Sequence, residues 1–368
     1  MSSSFVDPNP LARICAVSPR AENPVCKVSG LASIRLSRPD LNRAVTFFSD
    51  FGLTCIHNDG NLALLRGTGD RTASVIIERG PARYLGFSLT VDAADDLDRL
   101  AAAHGIAVTD NLPQRGGRMV TLRDPDNLTV EVMHGWTPLP ELMHAEIIPA
   151  NRPGHTPRIN RTVRLDFDHP PRIFKLGHTV MGVTNFVNSL TWYQQNFGMI
   201  VSDFQMLDGD PLPVVAFIRC DRGDIPTDHH TIAMGSAVEI GHLHTAFELP
   251  DLDAVVAAGE LLKQRKYRHT WGIGRHILGS QIFDYWRDEQ GDMFEHYADG
   301  DLFDATVPTG YHRFDGEALH QWGPAVTADM AGKVPSAHLV QTVISRLRDR
   351  TGDDLSLRRL INLVRAAG

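Results

Sequence analysis

The sequence has few of the features that mark several classes of protein. It contains only four cysteines among 368 residues, none in a C-x-x-C pair, which argues against a disulfide scaffold and a cysteine-based zinc site. No apolar run approaches the roughly 20 residues that a membrane-spanning helix needs. The first thirty residues lack a charged segment followed by a long apolar core. We therefore expect a cytoplasmic protein without a membrane partner.

Basic charge is also scarce. Lys and Arg total 36 against 44 Asp and Glu, which gives a net charge of −8. A mildly acidic chain without a basic stripe binds phosphate backbones poorly, so we expect no nucleic-acid partner. At roughly 100–200 residues per domain, the length predicts two or three compact units.

What the sequence does contain is an internal repeat. Residues 31–53 (LASIRLSRPDLNRAVTFFSDFGL) and 176–199 (LGHTVMGVTNFVNSLTWYQQNFGM) both pass from alternating to helical spacing of apolar residues, and both close with Phe-Gly and an apolar residue. Residues 84–135 and 242–298 match each other in the same way. Each unit predicts a strand, a helix and about three short strands, and the unit occurs four times.

The repeats predict an α+β fold of two modules, in which each module pairs two βαβββ units in a curved mixed sheet. The predicted segments are a poorly ordered N-terminal arm (1–28), a first module (29–135), a linker (136–173), a second module (174–305) and a C-terminal helical extension (306–368). We expect the extension to pack on the body or on another subunit of a homo-oligomer.

The two modules differ in the residues that carry chemistry. Aligning the repeats sets His178 against Ser33, His244 against Gly86, and Glu295 against Glu131. Two imidazoles and one carboxylate suit a divalent iron and leave positions open for substrate and oxygen. Structural zinc would need a fourth fixed ligand, which the pattern does not supply. The first module keeps only the acid, so we expect it to be metal-free.

Further polar residues gather in the second module. His230 precedes an apolar strand, His276 follows a Gly-Arg pair, and Tyr285 lies in the next predicted strand. A histidine near its ordinary pKa moves protons at neutral pH, but His230 could equally be a solvent-facing residue. Tyr285 could equally be a half-buried strand aromatic. The neighbouring His229 and His242 receive no role.

Four strings of the second module carry a resemblance to a known family. They are LGHTVMGV, HHTIA, HLHTAFEL and GRHILGSQIFDYWRDEQGDMFEHY. In the last string Tyr285 follows His276 by nine positions and Glu295 follows Tyr285 by ten. This pattern resembles the signature of the type I extradiol ring-cleaving dioxygenases of the vicinal oxygen chelate superfamily, and the resemblance extends over both modules.

The resemblance implies a metal and a reaction. His178, His244 and Glu295 would bind Fe(II), or Mn(II) as in some members of the family. The substrates would be a small aromatic diol of the catechol type and O2, and the enzyme would open the ring next to the two hydroxyls in aromatic compound catabolism.

The resemblance also implies roles around the metal. His230 would be the acid–base, and this choice over His229 depends on the TIA that follows. His276 and Tyr285 would form hydrogen bonds with the substrate or its intermediates. One departure from the family pattern is Asp284, which stands before the tyrosine where an aliphatic or aromatic residue is usual.

Two other functions compete with this interpretation. One is an α-keto-acid oxygenase that resembles the 4-hydroxyphenylpyruvate dioxygenases, which also use a second-module His, His and Glu. The spacing of His276, Tyr285 and Glu295 argues against it. The other is a non-catalytic binding protein on the same fold, which would not need a complete set of metal ligands.

Overall fold

Two mixed β-sheets form most of the molecule. The computed structural model describes residues 9–110, 116–143, 148–315, 319–330, 337–348, 354 and 356–366. After a short helix, α1 (Pro10–Ile14), the first sheet and its helices comprise β1 (Val28–Arg38), α2 (Leu41–Asp50), β2 (Thr54–Asn58), β3 (Leu62–Arg66), β4 (Val75–Arg79), β5 (Arg83–Val91), α3 (Asp95–His104), β6 (Thr109–Asp110), β7 (Arg118–Arg123) and β8 (Thr129–His134). The strand order is β2-β3-β4-β1-β5-β8-β7-β6.

The second module repeats this architecture. Its elements are β9 (Lys175–Gly182), α4 (Phe186–Phe197), β10 (Ile200–Met206), β11 (Pro213–Arg219), β12 (Thr227–Asp228), β13 (Ile232–Gly235), β14 (Gly241–Glu248), α5 (Leu252–Gln264), β15 (Arg268–His276), β16 (Ile282–Arg287), β17 (Met293–Ala298) and β18 (Leu302–Phe303). Between the modules, residues 136–143 and 148–173 form no helix or strand apart from one bridge between Arg152 and His155.

The pairing of strands shows the duplication directly. The second sheet runs β10-β11-β13-β9-β14-β17-β16-β15, which is the order of the first sheet. In each sheet the two units join through an antiparallel central pair, β1 with β5 and β9 with β14. The prediction of an α+β fold built from four βαβββ units is confirmed. The short β12 pairs with β18 outside the main sheet.

Local sequence explains where the helices begin and end. The residues Asp40, Asn185 and Asp251 precede α2, α4 and α5, and each side chain accepts a hydrogen bond from a backbone amide of the first turn. Helix α4 ends at Gly198, whose φ of 63° lies in the left-handed region that glycine adopts without steric cost. These residues fix the start of the helix in three of the four units, and α3 begins after Ala94 without a side-chain cap.

One hydrophobic core joins the two modules. Phe47 and Phe48 of α2 in the first module place their rings 5.7 and 4.9 Å from that of Phe294 on β17. In the reciprocal contact, Tyr193 of α4 packs 6.4 Å from Phe87 on β5. Each module therefore covers part of the other, and neither sheet buries its apolar face alone.

Equivalent turns of the two modules also reach across this interface. Arg38 at the end of β1 is fully buried and donates to Asp288, at 2.7 Å, and to Asp292, at 2.5 Å, in the turn between β16 and β17. In the matching turn of the first module, Asp126 accepts from the backbone amide of Thr184 at 3.1 Å. A charged donor faces one turn and a neutral donor faces the other.

The N-terminal arm differs from the expectation that it is poorly ordered. Residues 1–8 lie outside the described part of the chain, but residues 9–27 pack on the second module. The backbone amide of Ala16 donates to Pro211, and that of Val201 donates to Pro19. Burial of Val17 and Cys26 in the common core provides the physical reason.

The extension after residue 305 is not only helical, which corrects the sequence prediction. It adds β19 (Gly310–Arg313) beside β10 and β20 (His320–Trp322) beside β15, so each edge of the second sheet gains a strand. The predicted helices follow as α6 (Ala337–Arg348) and α7 (Leu357–Ala366). Within the described residues, no helix is long and apolar enough to cross a membrane.

Candidate metal centre and active site

Three neighbouring strands bring His178, His244 and Glu295 to one face of the second sheet. His178 on β9 pairs with Ala246 on β14, and Ala246 also pairs with Glu295 on β17. His244 lies two residues before Ala246, and residues two apart on a strand point to the same face. The register of the central pair thus converts a wide sequence separation into one cluster.

The cluster has the geometry of a metal site. Nε2 of His178 and Nε2 of His244 each lie 3.3 Å from Oε2 of Glu295, and the three ligand atoms lie within 4.8 Å of one another. All three side chains are buried, and neither carboxylate oxygen of Glu295 has a hydrogen-bond partner among the described residues. A buried anion is costly without compensation, so a divalent cation fits this donor set.

The electrostatics of the cluster favour metal binding. Burial would raise the pKa of Glu295, but the two facing imidazoles outweigh it and hold that pKa well below its usual range. Burial also lowers the pKa of His244 to about 4, which keeps its imidazole neutral. A carboxylate and neutral imidazoles are the protonation states that bind metals.

A cavity of about 180 Å³ opens in front of the two histidines. The polar side chains that line it, besides His178 and His244, are Gln205, His230, His276, Gln281 and Tyr285. The cavity therefore collects all the second-module residues that the sequence had suggested for roles around a metal. It also adds the two glutamines, which the sequence analysis did not single out.

The rest of the cavity wall is apolar. It includes Val215, Phe217 and Trp271 from the second sheet, together with Phe314, Leu319 and Met330 from the extension. The extension thus supplies part of the cavity wall. Sequence analysis did not assign it this position, since residues so far along the chain carry no motif that links them to the site.

His276 and Tyr285 form one hydrogen-bonded pair at the cavity. The backbone carbonyl of Leu319 accepts from Nδ1 of His276 at 2.9 Å, so Nε2 of the neutral ring accepts from the Tyr285 hydroxyl at 2.9 Å. Burial lowers the pKa of His276 and raises that of Tyr285 well above its ordinary value. Both groups are neutral near pH 7.

His230 also lies beside the metal ligands. Its ring centroid is 4.0 Å from that of His178, and its Nδ1 is 2.9 Å from Nδ1 of His229. His229 in turn places Nε2 at 2.5 Å from Oδ2 of Asp203 on β10. The sequence analysis gave His229 no role and did not single out Asp203. Two sequence features could have pointed to these residues. They are the adjacent His229 and His230, and the two-residue spacing that puts Asp203 on the same strand face as the cavity residue Gln205.

His242, the other histidine without an assigned role, points away from the cavity. Its Nε2 lies 2.9 Å from the hydroxyl of Thr245, and its ring stacks on that of Tyr84 with centroids 4.1 Å apart. Tyr84 belongs to the first module. His242 therefore contributes to the contact between the modules.

Among the described residues, the corresponding position of the first module has no cluster of side chains that could bind a metal. Ser33 pairs with Ser88, and Ser88 pairs with Glu131, which is the register that joins His178, Ala246 and Glu295. The Ser88 hydroxyl donates to Glu131 at 2.7 Å, and the Arg35 guanidinium donates to the other oxygen at 2.5 Å. A permanent cation and a hydroxyl satisfy this carboxylate.

Comparison with known proteins gives a concordant result. A family model described as the Glyoxalase/Bleomycin resistance protein/Dioxygenase superfamily matches residues 175–295. Metapyrocatechase 2 of Cupriavidus necator is 30% identical over 314 residues, which cover 83% of this chain and 92% of that protein. The chain belongs to the type I extradiol dioxygenases. The family prediction from the sequence is confirmed.

Solved structures share the fold of this extradiol dioxygenase. An extradiol ring-cleaving dioxygenase from B. fuscum is 18% identical with a TM-score of 0.70, over 85% of this chain and 84% of that chain. The 2,3-dioxygenase LapB from Pseudomonas sp. KL28 is 18% identical with a TM-score of 0.64, over 78% and 98%. A Mn(II)-bound glyoxalase from Novosphingobium aromaticivorans is 21% identical with a TM-score of 0.69, over 85% and 95%.

The part of this dioxygenase that matches the family model lies within the second module. The matched segment begins at the first residue of β9 and ends at Glu295. It therefore includes all the metal-ligand and catalytic residues that the sequence analysis named. The first module, with its satisfied Glu131, lies outside that match.

Proposed function

We propose that this protein is a non-haem Fe(II)-dependent dioxygenase that inserts O2 into a catechol-type ring next to the two hydroxyls. The observation that carries the proposal is the buried carboxylate of Glu295, which has no hydrogen-bond partner among the described residues and faces two imidazoles that line a cavity. His178, His244 and Glu295 would hold a divalent ion and would leave open positions for substrate and oxygen. Mn(II) accepts the same ligands, so the choice of iron is tested separately below.

The residues around the ligands have separate tasks. When bound, a divalent ion would lower the pKa of a coordinated hydroxyl and hold both reactants together. His230 lines the cavity next to His178 and would exchange a proton with a substrate hydroxyl. The pair of His276 and Tyr285 would orient the ring through the tyrosine hydroxyl.

The cavity wall favours a catechol whose substituent carries no charge. Among the described residues that line the cavity, none is Lys or Arg. An ionised carboxylate on the ring would find no cationic side chain among these residues, and burying an ionised group without such a partner is strongly disfavoured. We therefore propose alkyl- or aryl-substituted catechols as substrates, consistent with a role in aromatic compound catabolism.

Oxygen uptake tests this proposal. The purified protein is reconstituted anaerobically with Fe(II) or with Mn(II) and mixed with catechol, 3- and 4-methylcatechol, and protocatechuate. We expect one O2 consumed per catechol, a yellow ring-opened product, and a kcat/KM for the methylcatechols on the order of 10²-fold above that for protocatechuate. Higher activity with Mn(II) than with Fe(II) would overturn the choice of iron.

The alternatives have distinct signatures when 4-hydroxyphenylpyruvate is added to the same set of substrates. Oxygen uptake with 4-hydroxyphenylpyruvate and with no catechol would identify the α-keto-acid oxygenase instead. A protein that binds neither metal at micromolar concentration would identify the non-catalytic binding protein. The homo-oligomer expected from the sequence stays a prediction, which light scattering on the purified protein tests.

A further inference from the structure

A buried chain of hydrogen bonds lies behind His230. Nδ1 of His230 is 2.9 Å from Nδ1 of His229, whose Nε2 is 2.5 Å from Oδ2 of Asp203. The other carboxylate oxygen of Asp203 lies 2.7 Å from Nε2 of His312 on β19. His229, His230 and Asp203 are all buried. None of them is a member of the metal-binding group, and the proposed function uses only His230.

The end of the chain at Asp203 sets the direction of its hydrogen bonds. Burial opposes ionisation of Asp203, but the hydrogen bonds from His229 and His312 outweigh it and hold the pKa of this carboxyl below its ordinary value. A carboxylate only accepts hydrogen bonds, so Nε2 of His229 donates to it. In neutral His229 the remaining nitrogen, Nδ1, is then an acceptor.

The direction continues to the cavity. Because Nδ1 of His229 accepts, Nδ1 of His230 carries the proton and donates. The other nitrogen of His230, Nε2, is left with a free lone pair at the cavity that this residue lines. An imidazole without such a partner has no fixed tautomer, and its two nitrogens exchange roles.

We propose that His229 and Asp203 are positioning residues that fix His230 as the Nδ1–H tautomer, so that Nε2 accepts a hydrogen bond from a substrate hydroxyl. This inference rests on the proposed function, because it describes how His230 meets the substrate. The arrangement follows the logic by which a buried carboxylate holds a catalytic histidine in one tautomer, here with a second imidazole between them.

A purely structural role for His229 is the competing explanation. Its ring also packs against Phe217 and Phe303, with centroids 5.7 and 5.3 Å away. Replacement of His229 by Leu removes the hydrogen bonds and keeps much of the apolar contact, whereas Gln offers a side-chain carbonyl that can accept from His230. The two substitutions therefore separate packing from hydrogen bonding.

A matched control exists in the same module. His269 places Nε2 at 2.7 Å from Oδ1 of the buried Asp284, and His269 does not line the cavity. His269→Leu removes a histidine–aspartate hydrogen bond of the same kind without altering the surroundings of His230. Any general cost of losing such a pair appears in this variant as well.

The experiment measures bound iron, anaerobic methylcatechol affinity and kcat for the wild type and for H229L, H229Q and H269L. We expect H229L to keep its iron and to bind methylcatechol within about threefold of the wild type, while kcat falls about 10- to 100-fold. H229Q should recover at least about tenfold of that loss, and H269L should stay within about twofold of the wild type. An H229L kcat equal to that of H269L, or an H229Q kcat as low as that of H229L, would overturn the inference.

A second measurement keeps the inference testable if H229L fails to fold or to bind iron. In the wild-type protein loaded with diamagnetic Zn(II), the ¹⁵N signals of His230 should show a protonated Nδ1 and an unprotonated Nε2. The population of this tautomer should fall in D203N, because the amide can also donate and no longer requires His229 to be the donor. The opposite tautomer in the wild type would contradict the inference whether or not the protein cleaves catechols, whereas a wild type inactive with every catechol contradicts only the proposed function.

Discussion

The two modules place a glutamate at the same position of the same sheet and compensate its charge in different ways. In the first module Glu131 receives the guanidinium of Arg35 and the hydroxyl of Ser88. In the second module Glu295 faces two imidazoles, and both of its oxygens have no hydrogen-bond partner among the described residues. The strand register is shared, so the side chains around each glutamate make one a structural carboxylate and the other a candidate metal ligand.

Gly86 shows why a single substitution for histidine would not give the first module a metal ligand at this position. It occupies the position of His244, with a φ of 146° that side-chain-bearing residues rarely adopt. A Cβ at this position would collide with the backbone carbonyl of Thr129 on the adjacent strand. The strands of the first module approach each other where the second module carries an imidazole. The difference between the modules therefore includes the backbone.

The largest expected effect comes from the first ligand position. His178→Ala removes one of three ligands, and we expect a loss of bound iron and a fall in kcat on the order of 10³-fold or more. The matched change Ser33→Ala removes one hydroxyl in the first module and should leave both quantities unchanged. Oxygen uptake and metal analysis on both variants check this. Equal losses would show that the first module takes part in the chemistry.

Replacement of His230 separates the ligands from their neighbour. His230→Phe keeps an aromatic ring against His178 and removes both nitrogens. We expect kcat to fall about 10²- to 10⁴-fold while iron stays bound, because this is the usual range for one acid–base group. Metal analysis accompanies the kinetics, since iron loss in this variant would make His230 a ligand.

Gly86→His tests whether the first module can accept a ligand. The new side chain meets the Thr129 carbonyl at a positive φ, so we expect unfolding to become easier by about 3 kcal/mol, from overpacking and backbone strain together. Urea denaturation measures the change. A variant as stable as the wild type would show that the strands of the first module move apart easily and that the two backbones are equivalent.

The smallest effect concerns the turns that cross between the modules. Burial opposes ionisation of Asp292, but His242 and Arg38 outweigh it and lower its pKa to about 2, below the ordinary value of about 3.9. This carboxylate therefore stabilises the fold above about pH 4, and the contribution fades as the pH falls towards 2.

The variant D292N measures that contribution. At pH 7 we expect it to lower the free energy of unfolding by about 1–2 kcal/mol, since Arg38 retains Asp288. The difference from the wild type should shrink below about pH 4 in urea titrations. A difference that stays constant down to pH 3 would show that the charge of Asp292 does not stabilise the interface.

Much of the fold and of the metal group follows from the sequence, because both depend on periodic patterns. The repeat sets His178 and His244 at fixed places on strands, and equal spacing in both halves preserves the register that joins them to Glu295. The helices α6 and α7 carry a helical pattern of their own. Fold and cluster could therefore be predicted without any contact information.

The remaining features depend on contacts between distant segments. Asp203 lies on β10, 26 residues before His229, which follows β12, and only the folded structure shows that they meet. Leu319 and Met330 reach the cavity from an extension whose early part lacks any repeat. Arg35 of β1 balances the charge of Glu131, and this pairing depends on β1 and β8 lying in one sheet. No local pattern encodes these pairings.

The central claim is that one module alone holds the metal, and a count of bound iron tests it most directly. Protein reconstituted anaerobically with Fe(II) and freed of excess metal should contain one iron per chain, and Glu131→Gln should contain the same amount. Glu295→Gln should contain none, because the remaining two imidazoles lack the charge that holds the ion. Two irons per chain, or one iron retained in the Glu295→Gln variant, would contradict the account.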